Sequence, residues 1–328
     1  MRCAPSTEKS AQRATLAGRF DDTHPTLGSR GVDVRVEDVA SGAAVDALAT
    51  GWGKTAPAAT PAVWSPAATS WVSLLRTRMT EADAKQLVPD TSPSLLQSPL
   101  VIGMPKEMAQ AMGWPDRPIG WSDIIAISRD PNGWARYGHP EWGRFKLGKT
   151  NPQISTSGLN ALVATYYAAT GLKNDLSETD LDQPATVAFV SDLERAVVHY
   201  GDTTNTFLAN LLAADASGSG LTYISAVPVE EKQLIAYNRG QLASPGVKAA
   251  QRHTNPWVAI NPVDGTLFDE TPSVSRKAHW VAPNQPNAPP LVPATLPHIT
   301  QTHDLQDTRL LAHSATTARR RHPDSTTH

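Results

Sequence analysis

Only one of the 328 residues is a cysteine, Cys3. A single thiol excludes an internal disulfide and a zinc site built from several cysteines. No apolar run approaches the roughly 20 residues that cross a bilayer, and the first five residues show no apolar segment typical of a signal peptide. The formal net charge is −2, so no overall attraction to nucleic acid or to an anionic membrane is expected. These features exclude disulfide-rich and membrane-spanning classes.

The composition instead favours a globular protein of two average domains, with 40% hydrophobic and 18% charged residues. Its first part alternates predicted strands and helices. Strand-like alternation covers Val32–Val36, and a short helix from Ala44 is closed by Gly51. Ala62–Trp64 predicts a strand, and Ser65-Pro66 then predicts a helix start. Such units are typical of an α/β domain with a largely parallel sheet.

A second set of elements follows. The predicted elements are a strand at Leu100–Ile102, a helix opened by Pro105, a helix along Leu159–Tyr167 ended by Gly171, a helix from Val187 to Val197 and a strand at Leu221–Val227. From about Pro283 the chain is rich in proline and then in Thr, His and Arg. Such a segment buries too little apolar surface to offset its ordering entropy, so residues 284–328 are predicted to be disordered.

One segment, Gly143–Thr150, matches the phosphate-binding pattern G-x-x-x-x-G-K-[ST]. In such a loop Lys149 would reach the β and γ phosphates and Thr150 would hold magnesium. The context argues against it, because the strand-like residues lie inside the pattern rather than before it. Asn151-Pro152 follows, and a residue before proline resists helical geometry. A nucleotide site is therefore the least favoured interpretation.

Sites for covalent chemistry or for metals are not predicted. His139 and Glu141 are too close in sequence to form a metal pair without further ligands, and a surface turn explains them. His199 and Asp202 would need a nucleophile, and no serine or cysteine stands in a suitable turn. The sequence thus predicts neither catalytic residues, nor a metal site, nor a cofactor.

Several predicted strand-to-helix turns carry Ser or Thr. They are Ser6-Thr7, Ser41-Gly42, Ser65, Ser155-Thr156-Ser157-Gly158 and Thr203-Thr204. A helix N-terminus offers free N–H groups and a positive dipole, and hydroxyls add neutral donors. Each turn alone is well explained as a helix cap. Together, meeting in one cleft, they would bind an oxyanion or a small polar solute.

Nine segments carry a resemblance to a known family: Val63–Pro66, Ser98–Pro105, Ile119–Asp123, Gly138–Gly143, Leu147–Pro152, Ser155–Leu159, Ala168–Gly171, Val198–Thr204 and Val229–Lys232. The chain resembles the bacterial extracellular solute-binding proteins from about Ser6 to about Gly265. The likeness is closest to the actinobacterial substrate-binding proteins that carry a von Willebrand factor A domain. It also implies that Gly143–Thr150 is a strand and turn of that family.

The resemblance implies an α/β, type II periplasmic-binding fold with two lobes, a hinge crossed twice and a solute held between them. The expected division is 1–102 plus 250–283 for the first lobe and 103–249 for the second. The expected ligand-binding residues are Ser6, Ser41 and Ser65 from the first lobe, and Thr150, Ser155, Thr156, Ser157 and Tyr223 from the second. Compared with the family, the chain is expected to be truncated at both ends, without the von Willebrand factor A domain.

The leading hypothesis is non-catalytic solute binding outside the cytoplasm by a monomer, with a membrane transporter or envelope protein as partner and no nucleic acid. The alternative from another class is an envelope interaction or scaffold protein whose cleft binds nothing. A P-loop NTPase using Gly143–Thr150 is the third. Calorimetry separates the three hypotheses. Heat of binding from a small solute would favour the first, no heat from any solute the second, and a magnesium-dependent signal with a nucleotide the third.

Overall fold

The computed structural model describes residues 1–52, 60–88, 94–242, 247 and 253–275. The elements before residue 94 are β1 (Arg2–Pro5), α1 (Ser10–Asp21), β2 (Thr26–Leu27), β3 (Arg30–Gly31), β4 (Arg35–Val36), α2 (Ser41–Thr50), β5 (Val63–Ser65), α3 (Thr69–Arg78) and α4 (Glu81–Leu87). Those from residue 94 to residue 201 are β6 (Ser94–Pro105), α5 (Lys106–Ala111), α6 (Trp121–Arg129), β7 (Leu147–Thr150), α7 (Thr156–Thr170), α8 (Glu178–Leu181), α9 (Pro184–Arg195) and β8 (Val197–Gly201). The last are α10 (Thr204–Ala216), α11 (Gly220–Tyr223), β9 (Val227–Glu230), α12 (Glu231–Asn238), β10 (Trp257–Ile260), β11 (Phe268–Pro272) and β12 (Val274–Ser275). The tail predicted over 284–328 lies outside the described residues.

The first lobe is built on a four-stranded sheet in the order β12-β5-β1-β4. Strand β1 is parallel to both β4 and β5, with Cys3 opposite Val36 on one side and Val63 on the other. Helices α2 and α3 pack together over a core that includes Trp64 and Trp71. The parallel sheet predicted for this part of the chain is confirmed.

The second lobe is organised by the long strand β6. Its C-terminal half pairs antiparallel with β9 and β10, and β7 runs parallel to β8. A parallel bridge between Leu147 and Ala226 joins β7 to the start of β9. Clusters of buried apolar side chains, one around Trp121 and Trp134 and one around Phe207 and Leu211, surround these strands.

The chain passes between the lobes twice, on β6 and on β11. The N-terminal half of β6 pairs with β11, with Ser98 opposite Asp269. Strand β12 then returns to the first sheet, where Val274 lies opposite Trp64. Two antiparallel strands therefore connect the lobes and form the hinge. The expected boundary between residues 102 and 103 falls inside β6, and the division into lobes by residue number stays a prediction.

Three predicted elements differ in the structure. Ser65 does not start a helix; it ends β5, where it pairs with Pro5, and α3 begins four residues later. Val197 does not extend a helix but opens β8, which suits its branched side chain. The predicted strand over Leu221–Val227 is mostly wrong, because α11 turns there and is closed by the backbone N–H of Tyr223 donating to Ser219.

Helix α1 buries an unexpected face. Leu16 and Phe20, the large apolar side chains of α1, are only partly buried, whereas the small Ala17 is buried. Lys9 and Arg13 precede Ala17 at intervals of four residues and so lie on the same side of the chain. Among the described helices, none is both long and apolar enough to cross a bilayer.

Candidate functional site between the lobes

Direct contacts join the two lobes where α2 and α3 face the start of α7. The backbone N–H of Gly42 donates to the carbonyl of Ile154 at 3.1 Å. The indole Nε1 of Trp71 donates to Thr156 Oγ1 at 2.8 Å. Since Gly42 and Trp71 belong to the first lobe, the structure shows the lobes closed on one another.

A second set of contacts crosses the interface beside the hinge. Asn205 Nδ2 donates to the carbonyl of Thr7 at 3.3 Å, and Lys232 Nζ donates to the carbonyl of Glu8 at 3.1 Å. The short 3₁₀ turn Thr7–Lys9, which leads into α1, is therefore held by α10 and α12 of the second lobe.

The three serines expected from the first lobe are buried, and two of them, Ser41 and Ser6, directly precede residues that contact the second lobe, Gly42 and Thr7. Ser65 Oγ donates to the carbonyl of Pro272 at 3.0 Å and accepts a hydrogen bond from Arg13 at 3.0 Å. Ser41 Oγ accepts from the backbone N–H of Ala67 at 3.1 Å. The backbone N–H of Ser6 donates to the carbonyl of Ser65 at 3.0 Å. The Ser6 hydroxyl itself is buried and has no hydrogen-bond partner among the described residues.

The hydroxyls expected from the second lobe form a chain of hydrogen bonds with one direction. Thr150 Oγ1 donates to Ser155 Oγ at 3.0 Å, and Ser157 Oγ donates to Glu230 Oε2 at 2.6 Å. Thr204 Oγ1 lies between them, 3.4 Å from Ser155 Oγ and 2.7 Å from Ser157 Oγ. Because Ser157 uses its proton on the carboxylate, it accepts from Thr204, which in turn accepts from Ser155. The chain therefore runs from Thr150 to Glu230.

This hydroxyl chain predicts the effect of a single substitution. Ser157→Ala removes the donor to a buried carboxylate, and the expected loss is about 1.5–3 kcal/mol in the free energy of unfolding. Urea denaturation measures it. Ser217→Ala, at an exposed helix end, is the control and should change stability by less than about 0.5 kcal/mol. Equal effects of the two substitutions would contradict the directed chain.

Next to the hydroxyl chain lies a group of charged side chains that belongs to both lobes and to the hinge. Glu230 and Asp269 are almost fully buried, and Asn160 Nδ2 donates to Asp269 Oδ1 at 2.5 Å. Burial, reinforced by the neighbouring Glu230, raises the pKa of Asp269 well above its usual value. Burial and the Glu230 charge also raise the pKa of Glu8 to about 7.

Basic side chains accompany these acids. Lys9 Nζ donates to the carbonyls of Ala67 and Glu270, at 3.1 and 3.0 Å. Burial lowers the pKa of Lys9 to about 8, and burial also lowers the pKa of Lys232. The centre of the interface thus holds acids and bases that are partly removed from water.

Sequence reasoning missed this charged group: Lys9, Arg13, Glu230, Lys232 and Asp269 were not among the expected site residues. The sequence did contain one signal for the basic residues. Lys9, Arg13 and Ala17 are spaced four residues apart, so they lie on one side of the chain, and the small Ala17 is buried. The acids gave no comparable signal, because a carboxylate after an apolar strand is as typical of a surface turn.

Tyr223 lies away from the hydroxyl groups. Its ring stacks on His199, with the ring centroids 4.0 Å apart, beside strand β8. In the Gly143–Thr150 segment, Lys149 is buried and forms an ion pair with Glu194. The second half of the segment is strand β7, so Lys149 is placed as a structural residue and does not lie on a loop open to phosphates.

Solved structures share this architecture. The periplasmic binding protein AfuA from Actinobacillus pleuropneumoniae is 13% identical, with 85% of this chain and 75% of AfuA covered and a TM-score of 0.52. A periplasmic thiamin binding protein is 10% identical, with 92% and 78% covered and a TM-score of 0.55. The ferric binding protein from Campylobacter jejuni is 9% identical, with 88% and 78% covered and a TM-score of 0.52. At such low identity, these similarities show the fold.

The sequence itself matches one family. No curated protein sequence matches the chain. Residues 3–250, about three quarters of the chain, match the family described as bacterial extracellular solute-binding protein. This match covers most of both lobes and the direct contacts between them, and it ends before β10, β11 and β12. The chain belongs to the bacterial extracellular solute-binding protein family.

Proposed function

We propose that the chain binds a small polar solute or an oxyanion between its lobes and does no covalent chemistry on it. One observation carries this proposal: Ser6 Oγ is buried and has no partner among the described residues, next to Thr7, whose carbonyl accepts from Asn205 of the second lobe. A buried hydroxyl without a partner costs about 1–3 kcal/mol. A solute that accepts a hydrogen bond from Ser6 would recover that free energy only when the lobes close around it.

The position of Ser6 supports a solute with acceptor oxygens. Ser6 precedes the turn that leads into α1, and its hydroxyl makes no capping hydrogen bond. Arg13 and Lys9 lie on the same side of this segment and add hydrogen-bond donors near Ser6, among the acids Glu8, Glu230 and Asp269. We infer that Ser41, Ser65, Thr156 and Tyr223 contribute less to the solute than Ser6 does, because their contacts in the closed form are with protein groups.

The fold alone is compatible with several kinds of solute. The AfuA structure contains fructose-6-phosphate, whereas other proteins of the same architecture bind thiamin or ferric iron. The polar interface of this chain favours the first of these chemistries, a solute rich in oxygen. We propose further that the protein works outside the cytoplasm as a monomer, that a membrane transporter or envelope protein is its partner, and that its nearest relatives are the actinobacterial proteins with a von Willebrand factor A domain.

Ser6→Ala tests the proposal. Because the Ser6 hydroxyl is buried without a protein partner, its removal should raise the free energy of unfolding by up to about 1–3 kcal/mol and weaken solute binding about tenfold. Titration calorimetry with sulfate, molybdate, phosphate, a phosphate monoester and a neutral sugar identifies the solute with the wild-type protein. The same titration with Ser6→Ala measures the loss.

Ser65→Ala is the matched variant, since the Ser65 hydroxyl has two protein partners and should cost stability. Unchanged affinity in Ser6→Ala for a solute that the wild-type protein binds would contradict the proposed position of the solute. ATP with magnesium serves as a further titrant. A magnesium-dependent heat of binding would support the interpretation of Gly143–Thr150 as a nucleotide site.

A second candidate is an envelope scaffold with an empty cleft. The observation that favours it is that the second-lobe hydroxyls are satisfied by one another and by Glu230. A protein whose lobes close without a solute needs no ligand to complete these hydrogen bonds. Calorimetric silence over the whole panel, with cooperative unfolding retained, would favour this candidate over solute binding.

A further inference from the structure

Two buried carboxyl groups meet across the hinge strand β6. Glu230 on β9 lies opposite Leu100 of β6, and Asp269 on β11 lies opposite Ser98 of β6. Residues two apart on a strand point to the same face, and so do residues directly opposite in a ladder. Both carboxyl groups therefore project from one face of β6. Burial, together with the neighbouring Glu230, raises the pKa of Asp269.

Two of the four carboxyl oxygens accept hydrogen bonds from neighbouring side chains. Glu230 Oε2 accepts from Ser157, and Asp269 Oδ1 accepts from Asn160. The two remaining oxygens, Glu230 Oε1 and Asp269 Oδ2, are buried and have no donor among the described residues. Two carboxylates cannot hydrogen-bond to each other, because an ionised carboxylate only accepts. The pair becomes satisfied when one of its members carries a proton.

We propose that a single proton lies between Glu230 Oε1 and Asp269 Oδ2, and that this proton holds the hinge in the closed form. A bend of β6 between Ser98 and Leu100 would change the distance between the two oxygens. The shared proton therefore favours one hinge angle, the angle at which the lobes meet.

The charges that face this pair come from both lobes. Lys9, which donates to the carbonyl next to Asp269, and Lys232 stabilise a negative charge on the pair. Glu8 opposes such a charge, and Arg13 acts as a further positive charge near Lys232. Asn160 and Ser157 are neutral donors. Lys9 and Lys232 therefore favour one negative charge on the pair. A second negative charge is disfavoured, because the two neighbouring carboxylates would repel each other.

The sign of the pH dependence follows. Because burial raises the pKa of Asp269 above its value in the unfolded chain, the contribution of its proton to stability is complete at acidic pH and is lost as pH rises through the higher value. Glu8, with a pKa near 7, acts in the same direction. If the solute lies between the lobes, as proposed above, its release would be favoured at high pH, and this last step depends on the proposed function.

The proton itself is measurable without any solute. Infrared spectroscopy at neutral pH should show the C=O stretching band of a protonated carboxylic acid, shifted in deuterated water. In a Glu8→Gln background, which removes the other carboxyl group expected to be partly protonated at neutral pH, Asp269→Asn supplies an N–H donor to Glu230 in place of the shared proton and should lose that band and still fold. Glu8→Gln is the control and should retain the band, which separates the pair from Glu8. If Asp269→Asn does not fold, Glu230→Gln replaces it, with the same loss expected.

Small-angle X-ray scattering of the full chain over neutral and alkaline pH tests the role of the proton in closure. The radius of gyration of the wild-type protein should increase as pH rises, whereas that of Asp269→Asn should increase less, because the shared proton is then absent and Glu8 remains. A wild-type spectrum without a protonated carboxyl band, or a band that both Asp269→Asn and Glu230→Gln retain, would overturn the shared proton. Equal pH dependence of the radius in wild type and Asp269→Asn would overturn its role at the hinge.

Discussion

Gly42→Ala is expected to leave both lobes folded and to prevent them from closing. A Cβ atom at residue 42 would lie 1.8 Å from the carbonyl oxygen of Gln153 and 2.8 Å from the Cα of Ile154. Both are backbone atoms of the opposite lobe, so no side chain can turn aside to make room. Within α2 itself, alanine is the better helix former by about 1 kcal/mol. The substitution therefore favours the first lobe while it opposes the closed form.

Solute affinity and molecular shape both measure this effect. Overpacking typically costs about 1–3 kcal/mol, so binding should weaken about tenfold to a hundredfold or more. The radius of gyration should be larger than that of the wild-type protein. Gly18→Ala is the control, because a Cβ there meets nothing within 4 Å, and it should leave affinity unchanged. Wild-type affinity in Gly42→Ala would show that closure at this contact is not part of binding.

Gly158→Ala is expected to have the largest effect on stability. Its Cβ would lie 2.3 Å from the carbonyl oxygen of Thr150 and 2.8 Å from the carbonyl carbon of Asn151. All of these atoms belong to the second lobe, so opening of the lobes does not relieve the clash. The expected loss is about 3 kcal/mol in the free energy of unfolding, despite the higher helix propensity of alanine.

Urea denaturation of the two glycine variants separates the lobe interface from the lobe interior. Gly158→Ala should shift the unfolding midpoint to much lower urea concentration, whereas Gly42→Ala should not lower it. A small effect of Gly158→Ala would mean that the turn from β7 into α7 can move away from the new methyl group. In that case the hydroxyl chain, which begins at Thr150 in the same turn, would not be fixed as described.

Much of the first lobe could be predicted from the sequence because its signals are local. The helix that starts at Ser41 follows from its apolar spacing and from Gly51 at its end, and β5 follows from its apolar residues. In the second lobe, local signals were also sufficient for the end of α7. Its C-terminus was predicted correctly, since Gly171 adopts the left-handed conformation that ends a helix. In each case the residues that determine the element lie within it.

The charged part of the interface depends on pairings distant in sequence. Glu230 and Asp269 meet only because β9 and β11 both pair with β6, and no local pattern specifies that register. The hydroxyls were easier to find, because Ser and Thr mark helix starts whatever the tertiary structure. The direction of their hydrogen bonds was not predictable from the sequence. In the second lobe these bonds run towards Glu230, and this direction follows only from the positions of Thr204 and Ser157.

In the proposed binding mode the solute lies between the lobes, and the geometry supports Ser6 as the group that the protein leaves for the solute. Gly42 contributes by its lack of a side chain, since it lets the lobes approach to backbone contact. The charged group at the hinge contacts the hydroxyls directly, through Ser157 and Glu230, and links closure to a proton. A different substitution tests each role: Ser6→Ala the contact with the solute, Gly42→Ala the approach of the lobes, and Asp269→Asn the shared proton.

The most direct measurement is a crystal structure of the protein with the solute that calorimetry identifies. We predict electron density between α1 and α7, with an oxygen of the solute within hydrogen-bonding distance of Ser6 Oγ and both lobes in contact with it. Solute density confined to the outer surface of one lobe, with Ser6 Oγ still without a partner, would contradict binding between the lobes.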